Sequence, residues 1–408
     1  MNIDANAKKL IKLFNDSHHH AYVVGGCVRN AIMGIDASDT DIAVSCPPDV
    51  SVKLLTDAGI KCVETGIKHG TITAVIDATP YEITTFRTES GYADNRHPDS
   101  VSFVTNIADD LSRRDFTVNA MAYNDDEGII DLFGGRQDIK NKIIKTVGDP
   151  DKRFLEDALR IIRAIRFSST LGFTIDDNTK TSILNNKDLI KNVAKERITA
   201  EFSKLMLGKN IKYLLLNFYD VFNTVFGKKY KKQAYANACE VIDKIPQNFP
   251  LRLAFLYLCI SECIDLQKSK IKAPDLADLN AFLNAFVLSN AQKSACYATV
   301  ANCSIEVLDI PSVQRAMYGF GAESVKNALY IQDAVFGTNK KTTLFDSVIL
   351  NKMPFSISHL DINGNDLIQI GYEGRAIQSI LIKLLYAVFD GKVKNERKDL
   401  LNYIKNRD

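Results

Sequence analysis

Apolar and polar positions change their period several times along the chain. Residues 2–14 (NIDANAKKLIKLF) space their apolar side chains at helical intervals. Tyr22, Val23 and Val24 form a short apolar run that predicts a strand. Gly25 and Gly26 then predict a tight turn, Val28 to Met33 a helix, and Asp39 to Val44 a second strand. Alternation continues to about residue 105, where HGTITAVI and YEITTFR predict a hairpin turning around Asp77 to Pro80. The polar stretch FRTESGYADNRHPDSVSFV reads as a surface loop that could serve as a lid. Within LSRRDFTVNAMAY, residues 111–123, an amphipathic helix containing Asn119 is predicted to follow the two arginines and Asp115, and RFLEDALRIIRAIRF, residues 153–167, predicts another helix. Beyond residue 210 the helical period persists, through IKYLLLNFYDVFNTVF, PLRLAFLYLCISECI and DLNAFLNAFVL.

Composition narrows this picture. A chain of 408 residues is long for one core, so two to four modules are expected. The net charge is only +2, which means that any affinity for nucleic acid must come from a local basic face. No signal peptide or membrane-spanning run is apparent, which predicts a cytosolic protein without a membrane partner. Eight cysteines lie among apolar neighbours without CxxC pairs, and reduced buried thiols are expected rather than disulfides or zinc ligands. His18, His19 and His20 fall between a helix and a strand and read as a surface turn; His69 reads as structural.

The candidate chemistry starts with two acids. In an extended segment Asp39 and Asp41 share a face, with Cα atoms about 6.5 Å apart, while Thr40, Ile42 and Val44 point the other way. Such a pair repels unless a cation sits between the carboxylates, which suits a Mg²⁺ ion that meets a phosphate. An isolated Asp-x-Asp also occurs in turns. The glycines, the helix start and Arg29 strengthen the phosphate reading, because bare backbone, free N–H groups and a fixed charge all suit an anion. Glu82, between Tyr81 and Ile83, reads from the sequence pattern alone as a strand glutamate facing solvent. Asp115, behind two arginines, reads as an acid near a helix start. On the helix predicted over 153–167, Asp157, Arg160, Arg163 and Arg166 follow one slowly drifting face, with Ala158, Ile161, Ile162 and Ile165 opposite. That face is either a solvated Asp–Arg pair or a base reader. A carboxylate accepting from an exocyclic amino group beside a guanidinium donating to a ring nitrogen fits cytosine and adenine, and leaves uracil and guanine mismatched.

The order strand, Gly-Gly-x-x-Arg, helix, Asp-x-Asp resembles motif A of the nucleotidyltransferase superfamily. More narrowly, it resembles that of the class II tRNA nucleotidyltransferases, the CCA-adding enzymes, and their relatives the bacterial poly(A) polymerases. Asn30 stands where these families usually carry Asp. Residues 111–123 are similar to motif B (RRDFTINAMAY), GIIDLFGGRQDIKNKIIKTVG to motif C, and VAKERITAEFSKLMLG to motif E. Glu156, Asp157, Arg160, Arg163, Ala164, Arg166 and Phe167 match motif D, EDxxRxxRAxRF. Arg87, Glu89, Tyr92, Asp94, Arg96, His97 and Pro98 match a flexible loop that members adding only the two cytidines mostly lack. The last hundred residues resemble the tail of Gram-positive-type members, with Gly374, Arg375 and Gln378 where the family often has Gly-Pro and a later Gly. No His-Asp phosphohydrolase signature appears.

The resemblance implies an α+β fold: a polymerase-beta-like nucleotidyltransferase head with a mixed β-sheet (1–148), then an all-α neck (149–210), body (211–305) and tail (306–408), the last binding tRNA. It implies template-independent addition of CCA to the tRNA 3′ end from CTP and ATP, releasing pyrophosphate. Asp39 and Asp41 would hold Mg²⁺, with Glu82 as a third catalytic carboxylate. Gly25, Gly26, Arg29 and Arg114 would seat the triphosphate, Asp115 and Asn119 the ribose. Asp157 and Arg160 would read the base, supported by Arg163 and Arg166. Asp131, Gly134, Gly135, Glu196, Arg197 and Glu201 are assigned structural roles. The rivals are an enzyme that adds only A, to tRNA or as poly(A), and a retired RNA-binding scaffold. The near-neutral charge and the EDALR form of motif D favour the tRNA enzyme over poly(A) synthesis, and the intact Asp-x-Asp and EDxxR sets disfavour the scaffold.

Overall fold

The computed structural model describes residues 1, 3–36, 40–67, 70–91, 100–268 and 270–406. The chain divides into two compact units, Met1–Leu214 with Asp220–Lys228, and Leu215–Tyr219 with Lys229–Asp408.

The first unit opens with α1 (Ala5–Asp16), capped by the Asp4 carboxylate and burying Ala7, Leu10, Ile11 and Phe14 on one stripe. There follow β1 (Ala21–Val24), α2 (Gly26–Ile32), β2 (Asp41–Val44), α3 (Pro48–Asp57), β3 (Lys61–Gly66), β4 (Thr71–Ile76) and β5 (Thr79–Thr85). Next come β6 (Arg87–Ser90), β7 (Ser100–Phe103), α4 (Ile107–Ser112), β8 (Ala122–Asn124), β9 (Gly128–Ile130), α5 (Gly135–Asn141) and β10 (Ile143–Ile144). The last elements relevant to the site are α6 (Pro150–Glu156), α7 (Leu159–Leu171), β11 (Thr174–Ile175), α8 (Asp177–Asn185) and α9 (Lys195–Met206).

Seven strands form a mixed sheet in the order β3-β4-β5-β2-β1-β8-β9, in which β2 and β5 run parallel and the other neighbours antiparallel. The predicted hairpin is β4–β5. Asp77 and Ala78, both at positive φ, make its two-residue turn, which suits the twist of the flanking strands. On one face Tyr22, Val24, Ala43, Phe86, Leu111 and Ala122 form a core. Asp41 is two residues from Ala43 and so shares that face at the end of β2. The register sets Val24 opposite Asp41, and Asp41 opposite Glu82.

Four local expectations are revised. Helix α2 starts at Gly26, two residues earlier than predicted. Strand β2 starts at Asp41; Asp39 lies outside the described residues, as do His69, Tyr92, Asp94, Arg96, His97 and Pro98. Residues 111–123 are not one helix: α4 ends at Ser112, and a single 3-10 turn, Thr117–Asn119, precedes β8. Phe116, Val118, Ala120, Met121 and Ala122 are all fully buried, so the segment has no polar face for a helix to show. It is tied instead to residues 145–147, with Thr117 N–H donating to the Lys145 carbonyl at 2.9 Å and Val147 N–H to that of Asp115 at 3.1 Å. Finally, the helix over 153–167 breaks at Asp157, whose backbone is extended (φ −141°, ψ 104°) and whose carboxylate accepts from Leu159 N–H at 3.1 Å.

The second unit is helical apart from one two-stranded hairpin, Ile264–Asp265 with Lys270–Ile271. The helix Phe249–Ile260 buries every residue except Pro250 and forms the centre of its packing. Leu367, Leu384, Leu385, Phe389 and Leu400 make a separate core near the C-terminal end. The eight cysteines are not joined in disulfides, seven of them are buried, and among the described residues no helix is long and apolar enough to cross a membrane.

Motif C binds the fold to the site by close approach. A Cβ on Gly135 would press into the Thr117 carbonyl and meet Met121 Sδ at 3.0 Å. Gly135→Ala is therefore expected to cost about 1–3 kcal/mol by overpacking the turn that carries Asn119. Gly319→Ala, which meets nothing within 4 Å on the helix Ile310–Phe320, should instead be neutral or stabilising by up to about 1 kcal/mol. Denaturant melts of the two variants check both signs.

Candidate active site

Asp41, Glu82, Gly25, Gly26, Arg29, Arg114, Asp115, Asn119, Asp157, Arg160, Arg163 and Arg166 all line one cleft of about 670 Å³ in the first unit. Every predicted site residue except Asp39 is thus brought together. Seven arginines and four carboxylates line the cleft, so a nearly neutral chain carries a locally positive hollow.

At the floor, Asp41 and Glu82 stand as register neighbours on the parallel pair β2–β5, both exposed. Like charges set directly opposite one another repel. Their oxygens are the donor type a hard cation takes. Among the described residues no group of three His, Cys, Asp or Glu side chains forms a metal site; Asp39 falls outside that search. Beside them Gly25, at φ +73°, turns the chain into α2, and its N–H donates to the Met121 carbonyl at 3.2 Å. A Cβ there would meet Arg114 Nη1 at 3.0 Å, so both the turn and the neighbour require glycine.

Arg114 is held by Asp110, a residue the motif comparison passed over. Asp110 is 1% exposed and receives Arg114 on one oxygen, at 3.1 and 3.3 Å, and Arg113 on the other, at 2.7 and 3.0 Å. Burial alone would push its carboxyl up, but the two guanidinium groups outweigh that and lower it. The spacing to Arg113 and Arg114, three and four residues on, is a signal the sequence offered. Arg113 also meets Glu89 at 3.0 Å, and Glu89 takes Arg87 at 2.9 Å, which ties strand β6 to the same cluster.

A buried polar chain crosses the middle of the cleft. Arg29 donates to Asn119 Oδ1; Asn119 Nδ2 donates to Asp115 Oδ1 at 3.1 Å; Arg163 grips Asp115 Oδ2 at 2.7 and 2.9 Å. Arg163 reaches Glu201 on α9 at 3.4 Å, and Arg166 meets the other Glu201 oxygen at 2.7 Å. Arg166 also stacks on the Phe167 ring at 3.4 Å, with Arg29 and Arg163 near 5.3 and 5.4 Å. Burial would raise the Asp115 pKa, yet Arg163 and the Asn119 amide hold it at about 2.

At the break between α6 and α7, Asp157 pairs with Arg197 of α9 at 2.9 and 3.3 Å. The Asp157–Arg160 pair, one of the two alternatives for this face, does not form. Arg160 turns to Glu156 and to the carbonyls of Arg153 and Arg113, which leaves its Nε–H and one Nη2–H for other partners. Arg153 braces the same region, donating to Glu156 and to the carbonyls of Ser112 and Val147. Arg197 holds Asp157 at the α6–α7 break and Glu201 holds Arg166 of α7 by ion pairs, and Asp131 caps α5 through the N–H groups of Gly135 and Arg136.

Three segments match family models: the Poly A polymerase head domain over residues 21–145, the "Probable RNA and SrmB- binding site of polymerase A" over 172–226, and the tRNA nucleotidyltransferase domain 2 over 271–404. The CCA-adding enzyme of Limosilactobacillus fermentum is 34% identical, across 97% of this chain and 95% of its own. That of Ligilactobacillus salivarius is 36% identical, across 98% and 95%. The crystal structure of the Bacillus stearothermophilus CCA-adding enzyme in complex with CTP aligns with a TM-score of 0.77 at 30% identity, covering 98% of this chain and 96% of that one.

The Asp115–Arg163 pair has a measurable pH signature. The folded-state pKa of Asp115 lies below its ordinary 3.8, so its contribution is full above about pH 4 and is lost as the pH falls through about 2. Asp115→Asn should cost about 3 kcal/mol at pH 7, because Arg163 loses the closer of its two buried carboxylate partners and keeps only Glu201. The gap to the wild type should narrow by about 2 kcal/mol between pH 4 and pH 2. Unfolding curves of both proteins over that range read it directly.

Proposed function

The chain belongs to the CCA-adding enzyme family of tRNA nucleotidyltransferases, and on that premise we propose how its cleft carries out the reaction. The enzyme adds CCA to the 3′ end of tRNA from CTP and ATP, releasing pyrophosphate, without a nucleic-acid template. The observation that supports this reading most is the assembly, in one cleft, of paired carboxylates at a strand end, a glycine turn with arginines, and the Asp157–Arg160 break.

The residue roles follow from position. Asp41, with Asp39 two residues before it, and Glu82 across the register are the oxygen donors that would hold Mg²⁺. When bound, Mg²⁺ would supply charge neutralisation at the α-phosphate and lower the pKa of the attacking 3′-hydroxyl. Gly25 and Gly26 let the backbone approach the triphosphate, and Arg29 and Arg114 supply charge to it. Asp115 and Asn119 fix Arg163 and Arg29; the oxygens of Asp115 are filled by Phe116 N–H, Asn119 and Arg163, so the second Nδ2 hydrogen and the remaining Oδ1 lone pair of Asn119 are the groups that can meet ribose hydroxyls. Asp157 accepts the exocyclic amino group of cytosine or adenine while Arg160 donates to the ring nitrogen. Arg197 holds the first of these in place and Glu156 the second. The tail, residues 306–408, is the segment we assign to the body of the tRNA. Eight cysteines outside disulfides and a tRNA substrate are consistent with action in the cytosol.

Gel-resolved extension of transcripts lacking CCA, CA or only A, with CTP and ATP supplied singly and together, tests the proposal. The shortest transcript should grow by CCA, and Asp41→Ala should slow every step roughly a thousandfold or more. Asp157→Ala should erode the preference for CTP over UTP by roughly tenfold or more, because the mismatched base no longer meets an unpaired carboxylate. Growth only from the CC end would point to an A-adding enzyme, and no extension by intact protein would leave an RNA-binding scaffold.

A further inference from the structure

Arg29 stands apart from the other cleft arginines among the described residues. Arg87, Arg113, Arg114, Arg160, Arg163 and Arg166 each touch a carboxylate. Arg29 touches two amide oxygens instead. Its Nε and Nη2 donate to Asn30 Oδ1 at 3.2 and 2.9 Å, and its Nη1 donates to Asn119 Oδ1. It is only 9% exposed, and burial together with the nearby Arg166 and Arg163 pushes its pKa down to about 10. A buried cation met only by neutral acceptors is costly, and the cost falls when an anion arrives.

Two further observations say which kind of anion. Gly26 leaves the guanidinium open to the cleft, since a Cβ there would sit 3.4 Å from Arg29 Nη2. The Nδ2 group of Asn30 has no acceptor among the described residues, although the residue lines the same cleft. Two adjacent donors beside a bare glycine turn match the oxygens of a phosphoanhydride, not a base edge.

We propose that Asn30 is a positioning residue that holds Arg29 without neutralising it, keeping the guanidinium available to the phosphate oxygens of the nucleotide and offering its own N–H as a second donor. Aspartate in this place would supply a carboxylate to the guanidinium, which stabilises the empty protein and competes with the ligand. The inference rests on the nucleotidyl-transfer reading and adds a source of triphosphate affinity that does not depend on the base.

The test compares Asn30→Asp and Asn30→Ala with the wild type in the full chain, by thermal melting without ligand and by calorimetric titration with sodium pyrophosphate, CTP and ATP. Asn30→Asp is expected to melt higher and to bind all three ligands roughly tenfold more weakly, a loss of about 1.4 kcal/mol. Its KM values for CTP and ATP should rise by the same factor, with kcat at saturation unchanged. Asn30→Ala should also bind more weakly but melt lower, because Arg29 loses an acceptor. Opposite stability shifts with the same affinity loss cannot come from a merely structural role. Unchanged pyrophosphate affinity in Asn30→Asp, a loss confined to one nucleotide, or a fall in kcat alone would overturn the assignment. If the wild type extends tRNA while Asn30→Asp is indistinguishable from it, only this inference falls; if the wild type neither extends tRNA nor binds CTP, the nucleotidyl-transfer reading falls with it.

Discussion

A guanidinium removed from water must be met by oxygen, and the cleft depends on how that requirement is satisfied. Arg114 and Arg113 converge on Asp110, Arg163 on Asp115 and Glu201, Arg166 on Glu201, and Arg160 on Glu156. Together with the hydrogen bonds of Arg153 and Arg160 to the Ser112 and Arg113 carbonyls, these contacts link the end of α4, Asp115 before the Thr117–Asn119 turn, the α6–α7 break and α9, elements up to about ninety residues apart in sequence. Buried ion pairs of this kind roughly break even against an apolar alternative, so they contribute little net stability. What they contribute is placement. Each carboxylate has one geometry that satisfies its arginines, and a shift of one helix would strand a charge.

The same constraint explains what was legible in the sequence and what was not. The β4–β5 hairpin, the Gly25–Gly26 turn and the apolar stripe of α7 could be read because they rest on local rules: positive φ at Asp77 and Ala78, close approach at Gly25, and period at Ile161, Ile162 and Ile165. The helix predicted to follow Asp115 failed because Phe116 to Ala122 are buried all round, and the segment's backbone is bonded to residues 145–147. A contact thirty residues away overrode local propensity there. The break at Asp157 was hidden for a similar reason. Its helical pattern is sound, but Arg197, forty residues on, pulls the carboxylate out of the helix. The identity of the site residues was legible, but not their partners.

The pairing of Asp41 with Glu82 shows this limit most directly. From the sequence Glu82 could equally face solvent or metal, because a strand's own alternation does not reveal which strand lies beside it. Parallel pairing of β2 with β5 decides the question of proximity, bringing two acids forty-one positions apart onto one row. That row ends where Val24 gives way to the glycine turn, so the acid pair and the Gly25–Gly26 turn lie at the same end of the central strands β1 and β2. Asp110 was missed for the opposite reason: the signal was local and available, but nothing in an acid placed before two arginines distinguishes a buried clamp from an exposed pair.

Base selection without a template places a particular demand on such a cleft. It must accept a pyrimidine and a purine, which differ in size, while rejecting others of the same two sizes. Shape cannot achieve that, whereas a fixed order of acceptor and donor can. The order has meaning only if neither group can turn to suit the wrong base. Asp157 sits in extended backbone between two helices, with its carboxylate gripped from α9 by Arg197, and Arg160 is locked by Glu156 and two main-chain carbonyls. Both would then be rigid on the side away from the base and unsatisfied on the side facing it. A nucleotide with the reversed order would leave a carboxylate and a guanidinium desolvated against like partners, a penalty the ion-pair lattice behind them does not allow to relax.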